Sequence, residues 1–102
     1  MEASDMQIVK TGIAGTMESS DIMVTINKPT GKEIKIDLTS SVEKQFGKQI
    51  KRTITECANR LGIKSADITA VDKGALDCVI KARVETAIYR ACESTDYRWE
   101  AN

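Results

Sequence analysis

The chain has 102 residues, enough for one domain with a core of its own. Hydrophobic residues make up 41% and charged residues 29%, and 15 basic side chains balance 15 acidic ones to a net charge of zero. That balance argues against nucleic acid, whose binders carry a basic excess. No apolar run approaches the ~20 residues that span a bilayer, and no secretory leader pattern opens the chain, so the expected location is the cytoplasm.

The residue types narrow the chemistry further. There is no histidine, which removes the commonest general base, the commonest metal ligand and any Ser-His-Asp or Cys-His apparatus built from this chain alone. Three cysteines, Cys57, Cys78 and Cys92, are odd in number and show no CxxC spacing, so neither a disulfide framework nor a zinc site is expected. A non-catalytic role suits this composition better than an enzymatic one.

In chain order, residues 1–7 form an expected flexible extension, with Met6 a possible second start. Residues 8–92 form the domain and residues 93–102 a loosely ordered tail. Residues 8–17 hold Gly12 and Gly15, which weaken a regular strand and suggest a bulge or a close backbone approach. Glu18-Ser19-Ser20-Asp21 is a polar turn. Ile22, Val24 and Ile26 then alternate with polar or outward positions, as do Ile34, Ile36 and Leu38 after the Pro29-Thr30-Gly31 turn. The two segments predict an antiparallel hairpin.

A helix is expected from near Ser41, with Ser40 and Glu43 as a capping box and Val42, Phe46, Ile50, Ile54, Cys57 and Leu61 on one stripe. Gly62 stops it. Gly47 inside it permits a close backbone approach. Residues 66–71 make a strand and Asp72-Lys73-Gly74 a turn, with Asp72 or Gly74 near the cap of a second helix. That helix runs to about Cys92, with Leu76, Ile80, Val84, Ala87, Ile88 and Ala91 inward. Asp77 suits its positive end. Arg83 and Arg90 flank its stripe as solvated arginines or as ligands for a partner's carboxylates, and Cys57 belongs to the core of the first helix. The element order β-β-β-α-β-α predicts an α+β fold: a two-layer sandwich with a mostly antiparallel sheet of about four strands and two helices on one face.

Three blocks carry a resemblance. Gly15-Thr16-Met17-Glu18-Ser19-Ser20-Asp21-Ile22-Met23-Val24, Ser41-Val42-Glu43-Lys44-Gln45-Phe46-Gly47, and Val71-Asp72-Lys73-Gly74-Ala75-Leu76-Asp77-Cys78 continuing into Lys81-Ala82-Arg83 resemble, in order and spacing, segments of the citrate lyase acyl carrier (gamma) subunits. Met17 stands where the family often has Leu, a volume-conserving change. The resemblance implies a carrier with no catalytic residue of its own. It implies that Ser19 is the covalent attachment point of 2'-(5''-phosphoribosyl)-3'-dephospho-CoA, bearing acetyl and citryl thioesters. The partners it implies are the alpha (acyl transferase) and beta (citryl lyase) subunits and a prosthetic-group transferase, with no nucleic acid and no membrane. Read without the family, Ser19 and Ser20 are ordinary polar turn residues, and the Asp72 turn an ordinary helix entry, although a helix N-terminus beside Ser19 would suit a phosphate. Alternatives are a carrier for a related complex such as malonate decarboxylase, a non-enzymatic α+β binding module, or a carrier that uses its own cysteine.

Overall fold

The structure is a computed structural model that describes residues 7–40 and 43–92, the side chains of residues 43 and 44 excepted. Residues 1–6 of the expected extension (1–7), the tail (93–102), Val42 and part of the Ser40–Glu43 capping box thus fall outside the described residues. Six elements follow the expected order: β1 (Gly12–Ala14), β2 (Ile22–Asn27), β3 (Ile34–Ser40), α1 (Glu43–Arg60), β4 (Ala66–Asp72) and α2 (Asp77–Ala91).

The sheet order is β1-β2-β4-β3, antiparallel except for the β3–β4 pair, which is parallel. The expected β2–β3 hairpin does not form, because β4 inserts between the two strands. The reason is the crossover: α1 returns the chain alongside β3, so β4 pairs in parallel with β3 and its free edge takes β2. The 28–33 connection spans the end of β4 and is tied there, Thr30 donating from its hydroxyl to Asp67 Oδ2 at 2.9 Å.

Register puts the inward residues into rows across the sheet. One row is Gly12, Ile26, Ile68 and Ile36, and the next is Ala14, Val24, Ala70 and Leu38. β4 contributes two alanines, Ala66 and Ala70, both fully buried under the helices at the centre of the sheet. β3 lies at the edge, so Ile34 and Ile36 face inward but are only half-buried. From above, α1 supplies Ile50, Ile54, Cys57 and Ala58, Leu61 follows in the turn after it, and α2 supplies Ile80, Val84, Ala87, Ile88 and Tyr89. Gly62 ends α1 with φ +84°. Its N–H donates to the Asn59 carbonyl and that of Ile63 to the Ala58 carbonyl, which satisfies the last turn. Among the described residues no helix is long and apolar enough to cross a membrane.

Two expected core residues are not in the core. Phe46 is 47% exposed and Leu76 is 70% exposed. Phe46 stands in the first turn of α1, and Leu76 is the N-cap of α2 rather than part of its stripe. Both rim a groove of about 510 Å³ between the helices, floored by Ile50 and Ile80. The large stability loss expected of a buried phenyl ring therefore does not apply to Phe46→Ala.

Gly12 explains how β1 reaches α2. A Cβ there would stand 2.2 Å from the Ala87 carbonyl oxygen and 2.5 Å from the Ala91 nitrogen, both backbone atoms. The close approach expected of this glycine-bearing segment is made here, strand backbone against helix backbone.

Candidate functional site

The Glu18–Asp21 turn is closed by the Asp21 N–H donating to the Glu18 carbonyl at 3.2 Å. Ser19 and Ser20 are its central residues, and both are exposed. Ser20 adopts φ +66°, the left-handed conformation that the third position of a type II turn requires. Its N–H points inward and donates to the Lys73 carbonyl at 2.8 Å, while the Lys73 N–H donates to the Asp21 carbonyl at 2.9 Å. These two bonds extend the β2–β4 pairing past its last register pair, Ile22 and Asp72. They join the serine turn to the loop that enters α2. The Ser19 hydroxyl has no partner among the described residues.

Asp21, the last residue of this polar turn, is buried and shapes it. Its Oδ1 accepts from the Ile22 N–H at 2.7 Å and from Arg83 Nε at 2.9 Å. Its Oδ2 accepts from the Thr16 N–H at 3.1 Å, the Thr16 hydroxyl at 2.7 Å and Arg83 Nη2 at 2.9 Å. One carboxylate thus gathers both ends of the loop and fastens them to α2 through a bidentate guanidinium. Arg83, expected to be solvated or to reach a partner, is committed inside the molecule. So is Arg90, whose Nη1 donates to the Ile13 carbonyl at 2.6 Å.

The Arg83 guanidinium and the Thr16 hydroxyl hold the Asp21 carboxyl well below the usual carboxylate range. A depressed folded-state value stabilises the fold above the unfolded value near 3.8, and that contribution is lost as the pH falls through the folded value. The stability gap between the native chain and Asp21→Asn is therefore expected to be constant from neutral pH down to about pH 5 and to narrow below about pH 4. Urea unfolding midpoints of both proteins across that range check it. A gap unchanged down to about pH 2 would show that the charge on Asp21 contributes nothing.

Asp72 sits in the third inward row with Ile22 and Ser40, at the end of the core nearest the turn. It is 1% exposed, and it accepts from the Ser40 hydroxyl at 2.9 Å and from the Ala75 N–H at 3.0 Å. It folds the 72–75 loop rather than capping α2, whose N-cap is Leu76 and has no side-chain cap bond. Gly74, at φ +94° with open space around it, completes the turn.

Two of the three cysteines are poor nucleophiles. Burial pushes the Cys57 thiol up, and it pushes Cys92 up to about 11, so both stay protonated at neutral pH. Cys78 is exposed on α2.

Sequence alone placed Ser19 on a turn and suggested the Asp72 loop as its possible neighbour. It missed the roles of Asp21, Thr16 and Arg83. The usable signal was an acid directly before an inward strand, opposite an arginine at the edge of a helical stripe.

Comparison with known proteins supports this architecture. A chain in the crystal structure of a Pseudomonas malonate decarboxylase hetero-tetramer in complex with malonate superposes with a TM-score of 0.70, covering 85% of this chain and 89% of that one. At 16% identity this similarity speaks to the fold alone. The acyl carrier family model described as "Malonate decarboxylase delta subunit (MdcD)" matches residues 9–91, and the chain belongs to that family. Similar curated proteins include citrate lyase acyl carriers. The citrate lyase acyl carrier protein of Streptococcus mutans serotype c is 54% identical over 95 residues, covering 93% of each chain. That of Escherichia fergusonii is 45% identical over 96 residues, 94% of this chain and 99% of the relative. That of Albidiferax ferrireducens is 40% identical over 95 residues, 93% and 97%.

Proposed function

We propose that this chain is the acyl carrier subunit of a citrate lyase complex, with Ser19 Oγ as the point that holds a phosphoribosyl-dephospho-CoA arm through a phosphodiester. The observation that carries the site is the state of Ser19. It is an exposed hydroxyl with no partner among the described residues, on a turn whose backbone is held on both sides. A phosphodiester there needs an open hydroxyl and displaces no structural bond, so the residues present fit the group. When attached, the arm supplies the thiol that binds acyl groups.

The chain's own residues do the holding. Asp21, Thr16 and Arg83 shape the loop, and Ser20 ties it to Lys73. Acyl exchange and cleavage belong to the alpha and beta subunits, and a transferase loads the arm. Tethering then converts each delivery into an intramolecular encounter at high effective concentration. Such a complex would work in the cytoplasm. The identities of 40–54% to citrate lyase carriers favour citrate over malonate as the substrate of the complex.

An intact mass of the chain purified from its native host within an active complex tests the reading. The expected result is a single heavy adduct of the arm's mass, in a complex that cleaves citrate and does not decarboxylate malonate. An unmodified mass in a citrate-cleaving complex would overturn it.

A further inference from the structure

We propose that Arg83 is a positioning residue for arm attachment: from α2, through Asp21, it presents the Ser19 turn in one shape to the enzyme that loads it. The proposal rests on the reading of Ser19 as the attachment point. Arg83 acts on the turn through its two bonds to Asp21 and takes no part in the chemistry.

The loop has little else to hold its shape. Thr16, Met17, Glu18, Ser19 and Ser20 are all exposed, and Met17, its one large apolar side chain, is 52% exposed. No side-chain packing therefore fixes residues 16–20. Gly15 anchors the base of the loop by close backbone contact with Ile22. The Glu18 N–H and carbonyl make local bonds to the Thr16 hydroxyl and the Asp21 N–H, and the remaining polar bonds converge on Asp21 and on Lys73. The Ser20–Lys73 bond fixes only the inner side of the turn. The Asp21 carboxylate fixes its two ends, at Thr16 and Ile22, and Arg83 fixes the carboxylate with two bonds of 2.9 Å. The arginine is 40% exposed and the aspartate 12%, so the guanidinium roofs a carboxylate that faces the protein. The fork geometry matters, since a lysine ammonium would act as a point charge and could not hold both oxygens as the guanidinium does, leaving the carboxylate to its bonds with Thr16 and Ile22.

A loop that spends less time in the competent shape binds its loading enzyme more weakly in proportion, while the chemical step, once bound, is unchanged. The test uses the full-length unloaded chain as the varied substrate of the transferase, with its arm donor saturating. Arg83→Gln is expected to raise the KM for the chain about tenfold with kcat within about twofold, and Arg83→Lys to fall between it and the native chain. Amide exchange at Thr16 and Ser20 should accelerate in the same order. Ile54→Val, a core change remote from the loop, serves as the control for lost stability and should leave KM unchanged despite a lower melting temperature. A native KM and native exchange in Arg83→Gln, while Ser19→Ala refuses the arm, would overturn the positioning role and leave the site standing. Loading of Ser19→Ala would overturn both. Should Arg83→Gln fail to fold, a native KM and native exchange in Arg83→Lys would reject the role by themselves.

Discussion

Ser19→Ala is expected to abolish arm attachment and citrate lyase activity together while leaving the fold untouched. The substitution removes one exposed oxygen that has no partner among the described residues, so the change in unfolding free energy should stay within about 0.5 kcal/mol. Its neighbour makes the sharper comparison. Ser20 contributes its backbone N–H and its left-handed conformation to the turn, and alanine keeps that N–H. Ser20→Ala should therefore accept the arm, at a cost in stability of order 1 kcal/mol or less. Peptide mass spectrometry after loading in vitro separates the two hydroxyls. An adduct on Ser20, or full activity in the Ser19→Ala protein, would remove Ser19 from the site.

The second large effect is structural. Gly12→Ala should destabilise the protein by about 3 kcal/mol or more, because the new methyl meets backbone of α2 at 2.2 and 2.5 Å and neither side can rotate away. The strain is steric rather than conformational, since Gly12 is not among the glycines with positive φ. Relief requires β1 to leave α2, which would also strain the Arg90 bond to the Ile13 carbonyl. Gly31→Ala is the counterpart. Its methyl would find only the end of the Lys35 side chain at 3.7 Å, and its cost should stay within about 0.5 kcal/mol. Urea unfolding of both variants decides the matter, and a Gly12→Ala protein within about 1 kcal/mol of native would mean that β1 and α2 are not in close backbone contact.

What was legible from residues alone follows from where each signal originates. Period-two alternation marked β2 and β3, the 3.6-residue stripe marked Ile50, Ile54 and Cys57, and Gly62 marked the end of α1, because each is a local property of a few adjacent residues. Strand partners were not legible. The Pro29–Gly31 segment has hairpin chemistry, yet β4, arriving after α1, takes both available edges, and local turn preference does not register that competitor. Phe46 and Leu76 have the right spacing for the core but lie at helix starts, on the rim of a groove, where periodicity continues and burial does not. At the site, the serine's exposure was expected from turn composition. The Asp21–Arg83 clamp was not, since its partners lie 62 positions apart.

That separation has a meaning for the order of events in synthesis. The serine emerges from the ribosome early, but the groups that shape its turn, the Lys73 carbonyl and the Arg83 guanidinium, are among the last of the domain to be made. A truncated or unfinished chain displays the Ser19 hydroxyl without its frame. If Ser19 is the attachment point, a loading enzyme that recognised the framed turn would thereby inspect the whole domain while touching only one edge of it, and would commit its cofactor only to finished molecules.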